Sequence, residues 1–358
     1  MMSNTNTNTQ MLTSNLSFTS NEQLVKFHSQ QCNPTPKVLN TNFTNTEGET
    51  VCFGGVKIYD ALCSNFKLID KLMENEIIQD VQYLYDGSII RVFYDEDWKL
   101  ATNKCVNADG ASWENLGSFG KAFREIAEQY PLNYDSLDKN NTYYFVLQHK
   151  LNRIVSPVME NKIIHINTFD NKTGMEINYV IDNVPKSEKV NISIDEILTV
   201  CLKSPWTFQG YLVKTASGKN IRIESKEYTR VRAIKGNMVS RGKNWKISDK
   251  VDKSVYRLLQ IIRHENKEDF LYYFPEYTAT IDSVIRDLQK LTHSIHNEYI
   301  NYKVFKTITE VSLFYKPFIY KAHQIYLTTR QTITLADIYN LVMVSPFDTL
   351  MKAIEYKE

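Results

Sequence analysis

The sequence predicts an α+β fold: a domain of two packed antiparallel sheets with flanking helices, followed by an all-α C-terminal domain. Three observations predict it. Residues 40–248 are dominated by short runs of β-branched and aromatic side chains, separated by turn signals such as Asp86-Gly87 and Lys172-Thr173-Gly174. Near Asp249 the apolar period changes from two to three-and-four. The 358 residues are 42% apolar and 12% aromatic, ample for one large or two ordinary domains with a sizeable core. The expected units are a disordered tail over 1–35, a sheet domain over 36–249 and a helical domain over 250–358.

Composition narrows the function. The formal net charge is +1, so no global field argues for nucleic acid or a membrane surface, and any RNA contact must be a local patch. No apolar run reaches the length of a membrane span, and no secretory signal is expected at the start. Cys32, Cys52, Cys63, Cys105 and Cys201 are odd in number and never spaced Cys-x-x-Cys, which fits reduced thiols in a cytosol-like compartment. The Asn-x-Ser/Thr sites at Asn171 and Asn191 then carry no weight.

Taken in order, residues 1–20 are Ser, Thr and Asn with few apolar side chains, too polar to offset the entropy of ordering. Residues 21–30 carry Leu24, Val25 and Phe27 as a short helix before Pro34 and Pro36. Phe53-Gly54-Gly55-Val56-Lys57 reads as a turn, or as a phosphate-approaching loop with Lys57 beside it. Residues 65–76 predict a helix with Phe66, Ile69, Leu72 and Met73 on one face. Runs at 81–85, 88–94 and 98–102 predict an antiparallel meander; a polar segment with Trp113 follows, then a helix over 118–126 capped by Ser118. Strands are expected at 143–147, 163–166 and 177–181, then a helix from Ser193, with Glu196 completing a capping box, and strands at 211–214 and 221–225.

These features, in this order, resemble the nucleotidyltransferase core of RNA ligases, an ATP-grasp-related fold, especially the bacteriophage type and the related proteins of large DNA viruses. Leu84-Tyr85-Asp86-Gly87-Ser88 stands where that family has Lys-x-Asp-Gly, and Trp98-Lys99-Leu100-Ala101-Thr102 where it has a Trp-x-x-x-Thr-like strand. Phe145-Val146-Leu147 with Asn152-Arg153-Ile154-Val155 is similar to its Phe-Glu-Leu and Asn-Arg-Ile-Val segments. Phe208-Gln209-Gly210-Tyr211-Leu212-Val213 is similar to its Glu-Gly-Tyr-Val strand, and Ile221-Arg222-Ile223-Glu224-Ser225 with Tyr228 to its final Lys-x-Lys strand. The matches cover somewhat less than half the chain.

The departures bear on chemistry. In the family a lysine attacks the α-phosphate of ATP, aided by carboxylates and further cations. Here the lysine position holds Leu84, the carboxylate positions hold Val146 and Gln209, and the terminal lysine positions hold Arg222 and Glu224. The apolar scaffold stays while most of the charged chemistry is lost, the pattern of a retired active site. No catalytic residue, cofactor or metal is therefore expected, and Leu84, Asp86, Gly87, Arg153, Gln209 and Arg222 are expected to surround the ligand.

Residues 226–246 hold Lys226, Arg230, Arg232, Lys235, Arg241, Lys243 and Lys246 against Glu227 alone. With Tyr228 and Trp245 this reads as an RNA surface, cations meeting phosphates and aromatics stacking on bases, with Gly236 and Gly242 allowing close backbone approach. Read structurally, it is a solvated basic loop and hairpin. Beyond Asp249, Val251, Val255, Leu258, Leu259 and Ile262 share one helical face, and Ile281, Val284, Ile285, Leu288, Leu291 and Ile295 another. Residues 270–277 form an aromatic loop, a hinge contact between the domains or a docking surface, whose tyrosine cluster reads as core packing ahead of recognition, and Thr334 with Asp337 caps a last helix. His293, His296 and Glu298 lack a further ligand nearby in sequence, and no nucleophile elbow supports a hydrolase.

The function these observations imply is a catalytically inactive, viral RNA ligase-like protein that holds RNA ends, nucleotides or a partner such as another viral protein. Its place would be the host cytoplasm, a viral factory or the virion. Two alternatives stand beside it: an active ATP-dependent RNA ligase with a displaced lysine, and a structural or virion-packaged interaction protein.

Overall fold

The computed structural model describes residues 42–112, 116–130, 132–236 and 254–355. The expected tail, the helix at 21–30, Trp113, the boundary near Asp249, and Arg241, Lys243 and Trp245 lie outside the described residues. In chain order the elements are β1 Phe43–Thr44, β2 Thr50–Cys52, β3 Ile58–Leu62, α1 Phe66–Met73, β4 Ile78–Tyr83, β5 Ser88–Asp95, β6 Asp97–Thr102 and α2 Phe119–Ala127. Then follow β7 Asn141–Gln148, β8 Lys162–Asp170, β9 Glu176–Ile177, α3 Ile194–Lys203, β10 Gly210–Thr215, β11 Asn220–Glu224 and α4 Lys226–Lys235. The C-terminal region is helical: α5 Val255–His264, α6 Lys267–Tyr273, α7 Thr278–Tyr299, α8 Lys316–Thr329, α9 Leu335–Val344 and α10 Phe347–Glu355.

Two main sheets result, β3-β11-β10-β4 and β6-β5-β7-β8-β9, antiparallel throughout except where β3 joins β11 in parallel. The expected three-strand meander is corrected here. β5 and β6 form a hairpin, but β4 belongs to the other sheet, and the chain crosses between sheets at residues 84–87. Asp86-Gly87 is therefore a crossover and not a hairpin turn. Gly87 is needed there because a Cβ would sit 2.5 Å from Val146 Cγ1 and 2.7 Å from the Leu147 carbonyl oxygen. The strand expected at 177–181 shrinks to the two residues of β9, after which Tyr179 N–H turns back onto the Ile177 carbonyl.

Period-two alternation sorts each strand into an outer and an inner face. On β7, Tyr143, Phe145 and Leu147 pack beneath Phe123 and Ile126 of α2. On β10 and β11, Tyr211, Val213, Ile221 and Ile223 pack with Ile197 and Cys201 of α3. The helices thus cover the outer faces, and the inner faces are left toward each other. The helices start where their side chains cap them: Ser118 Oγ accepts from Lys121 N–H, and Ser193 with Glu196 and Thr334 with Asp337 form capping boxes.

α4 is a helix where a loop and hairpin was the structural expectation, and Ser225 caps it. Its Tyr228 and Val231 join Val155, Leu258, Ile261, Phe270, Phe274 and Ile281 in a core shared by the sheets and the first C-terminal helices. The aromatic residues 270–277, expected as a loop, are the end of α6 and a 3-10 turn. Leu288, Leu291, Ile295, Phe318, Ile338, Val342 and Leu350 form a second helical core.

One buried group makes stability depend on pH. His165 is 1% exposed, and its Nε2 lies 2.8 Å from Thr168 Oγ1. Burial, with Lys186 adding to it, pushes the ring from 6.5 down to about 4. The unfolded chain binds the proton first on acidification, so stability is full above about pH 6.5 and falls as pH drops toward 4. Urea unfolding at pH 7 and pH 5 should differ by about 2 kcal/mol from this group, and His165→Gln should remove that part of the difference.

Candidate functional site

Between the inner faces lies a cavity of about 770 Å³, inside the range of roughly 300–1,000 Å³ usual for small-molecule sites. One sheet contributes Gln82, Leu212, Asn220 and Arg222, the other Ile89, Tyr144, Val146 and Phe169, and the crossover contributes Leu84 and Gly87. The stretch after β6 frames the mouth: Lys104, Gly110 and Ser112 are the exposed members of the lining. Leu84, Val146 and Gln209, far apart in sequence, line this one cavity.

Its polar lining is mostly uncharged and underpaired. Asn103 Oδ1, Asn167 Oδ1, Ser187 Oγ, Gln209 Oε1 and Asn220 Oδ1 are buried and without a hydrogen-bond partner among the described residues, and all five residues line the cavity. Asn167 reaches it through a bulge: β8 slips register against β7 at Ile166, so Ile166 and Asn167, adjacent in sequence, both face the cavity. Among the described lining residues the charged ones are Lys104 and Arg222, and no carboxylate is among them. Arg222 Nε lies 3.0 Å from Asp60 Oδ1. Among the described residues no three His, Cys, Asp or Glu side chains are grouped to hold a metal, and His296 Nε2 lies 3.1 Å from the Ile333 carbonyl oxygen.

The other candidate residues have different surroundings. Asp86 is 9% exposed; its Oδ2 accepts from Val155 N–H at 2.9 Å and Ser156 N–H at 2.6 Å, and its Oδ1 from the Tyr228 hydroxyl at 2.9 Å. Tyr228 is buried in this contact, and desolvation with the nearby Asp86 charge drives its phenol far above the usual range. Arg153 forks onto Glu276 at 2.8 Å and 3.0 Å, donates to the Tyr273 carbonyl, and stacks on Phe274. It ties the sheets to the C-terminal helices. On α4, Arg230 pairs with Glu227, Arg232 forks onto Glu224 at 2.6 Å and 2.7 Å, and Lys235 donates to the Arg153 carbonyl. Lys57 is exposed, 5.5 Å over the Tyr59 ring.

Sequence reasoning passed over Asn103, Lys104, Asn167, Ser187 and Asn220. Only Asn220 had a readable signal: it shares its strand face with Arg222, opposite the apolar Ile221 and Ile223.

No family profile matches the chain. A curated relative, the immediate-early protein ICP-46 homolog of Invertebrate iridescent virus 3, is 27% identical over 244 residues, 64% of this chain and 51% of that protein. The chain thus spans about half the length of the relative it matches. Among solved structures, an apo mutant of Naegleria gruberi RNA ligase is 12% identical with a TM-score of 0.38, over 56% of this chain and 63% of that one. A mutant of the same ligase with ATP and Mn is 13% identical with a TM-score of 0.36, over 46% of this chain and 54% of that one.

Proposed function

We propose that this chain is a catalytically inactive, viral RNA ligase-like protein whose cavity between the sheets holds an RNA end or a nucleotide. The observation that carries the reading is the convergence of Leu84, Val146 and Gln209 on one cavity. These positions would hold the nucleophilic lysine and two carboxylates in the family the sequence resembles. The residues present do not fit a metal–triphosphate complex: amide and hydroxyl oxygens leave a divalent cation's charge uncompensated, and Arg222 adds to it. The cavity then offers binding without phosphoryl transfer. RNA beyond the bound end would run along α4, where Arg230 and Arg232 stay 43% and 41% exposed beyond their ion pairs. The Arg230–Glu227 pair, exposed on both sides, holds its cation weakly, so a phosphate can compete for it, whereas Arg232 stays forked on the buried Glu224.

Lys104 at the mouth favours the second reading, an active enzyme with a displaced nucleophile. Incubation with labelled ATP or GTP and magnesium or manganese, followed by denaturing electrophoresis, separates the two. The proposal expects no covalently labelled protein. A labelled band that disappears in Lys104→Ala would establish the active reading. Single-stranded RNA should bind at low salt and release as salt rises, with log affinity linear in log salt.

A further inference from the structure

At the C-terminal end of α7 the chain exposes large apolar side chains beside unpaired cations. Val304, Phe305, Leu313, Tyr320, Tyr326 and Leu327 are between 37% and 70% exposed. Over residues 300–330 the charged side chains are Lys303, Lys306, Lys316, Lys321 and Arg330 against Glu310 alone. None of the five cations has an ion pair among the described residues. We infer that this surface docks a protein partner through an amphipathic helix that is apolar along one face and flanked by Asp and Glu.

The surface is held in place before any partner arrives. α7 continues into a π-helical turn, Ile300–Val304, and the loop after it is tied back: Thr307 N–H donates to the Asn301 carbonyl at 2.9 Å, and Ser312 N–H to the Glu298 carboxylate. Phe305 and Leu313 are therefore displayed on a fixed loop, which lowers the entropy lost on docking. On α8, Tyr320 and Leu327 lie two turns apart on one exposed face, about 10 Å along the axis. Lys303 Nζ stands 4.5 Å over the Tyr302 ring and 5.5 Å over the Tyr320 ring, which joins the π-helical turn to that face of α8. A partner helix meets such a face with apolar anchors at i, i+3 or i+4, and i+7.

Charge selects the occupant. Opposite charge across the contact calls for carboxylates, and two copies of this face would bring like charges together. The chain's own segments outside the described residues do not supply them: residues 1–41 carry Lys26 and Lys37 against Glu22, and residues 237–253 are basic. RNA would stack on Tyr320 but gains little from the aliphatic Val304, Leu313 and Leu327. In a bilayer Lys303, set among the apolar side chains, would be carried toward hydrocarbon, whereas in a protein contact it can meet a carboxylate.

The test pans a library of randomised single-helix peptides against the full chain and measures the enriched peptides by fluorescence anisotropy. Enriched sequences should be acidic, with apolar residues at the helical spacing above. Phe305→Ser and Leu327→Ser, at exposed positions and so expected to keep the melting temperature, should each weaken binding about tenfold. Lys303→Glu should weaken it most at low salt, and Leu151→Ser, exposed on the sheet domain, should leave it unchanged. Neutral or basic enriched peptides, or acidic ones whose affinity survives both serine variants, overturn the inference. So does the absence of an enriched acidic peptide when those variants instead abolish binding to single-stranded RNA or to anionic phospholipid vesicles, or dissociate a dimer seen in sedimentation.

Discussion

Replacing Asp86 with alanine is expected to lower the stability of the fold by about 3–5 kcal/mol, because two buried donors and a half-buried one lose their acceptor at once. The carboxylate gathers the Val155 and Ser156 N–H groups and the Tyr228 hydroxyl at the point where the chain passes from one sheet to the other. Tyr228→Phe removes a single partner and should cost only about 1–2 kcal/mol. Denaturant unfolding of both single variants and the double variant would give the coupling between them. A stability loss below about 1 kcal/mol in Asp86→Ala would mean that the clamp contributes little and that Asp86 is free to serve the ligand instead.

A comparable loss is expected for Gly210→Ala, about 3 kcal/mol or more. Gly210 opens β10 at φ +139°, a region that L-residues rarely adopt, and a Cβ there would lie 2.1 Å from the Ile223 carbonyl oxygen and 3.0 Å from Glu224 Cα. Both are backbone atoms of β11, so relief requires the two strands to part. Gly218→Ala is the control: φ is +84° and nothing lies within 4 Å of its added Cβ, leaving strain of about 1 kcal/mol without a clash. Equal losses in the two variants would assign the Gly210 effect to φ alone.

What was legible in the sequence was chiefly local. Ser118, Ser193 and Thr334 were readable as caps because capping needs only residues within one turn of each other. The strands were readable because each pleated face repeats every second residue. The pairing of β4 was not, since a turn signal such as Asp86-Gly87 marks a change of direction without saying whether the flanking strands pair. α4 was missed as a helix because its polar side chains leave only Tyr228, Val231 and Lys235 buried. In the cavity, the family resemblance located Leu84, Val146 and Gln209. Ser187 and Asn167 gave no sign, because only the packing of the sheets turns an ordinary loop serine and a bulge asparagine toward one space.

Crystal structures of the chain grown with a saturating nucleoside monophosphate and, in parallel, with ATP and magnesium test the central claim most directly. The account predicts the monophosphate in the cavity between the two sheets and, in the crystals with ATP, no bond from any lysine to phosphorus. A nucleotide held elsewhere, or a phosphoramide bond to Lys104, would contradict it.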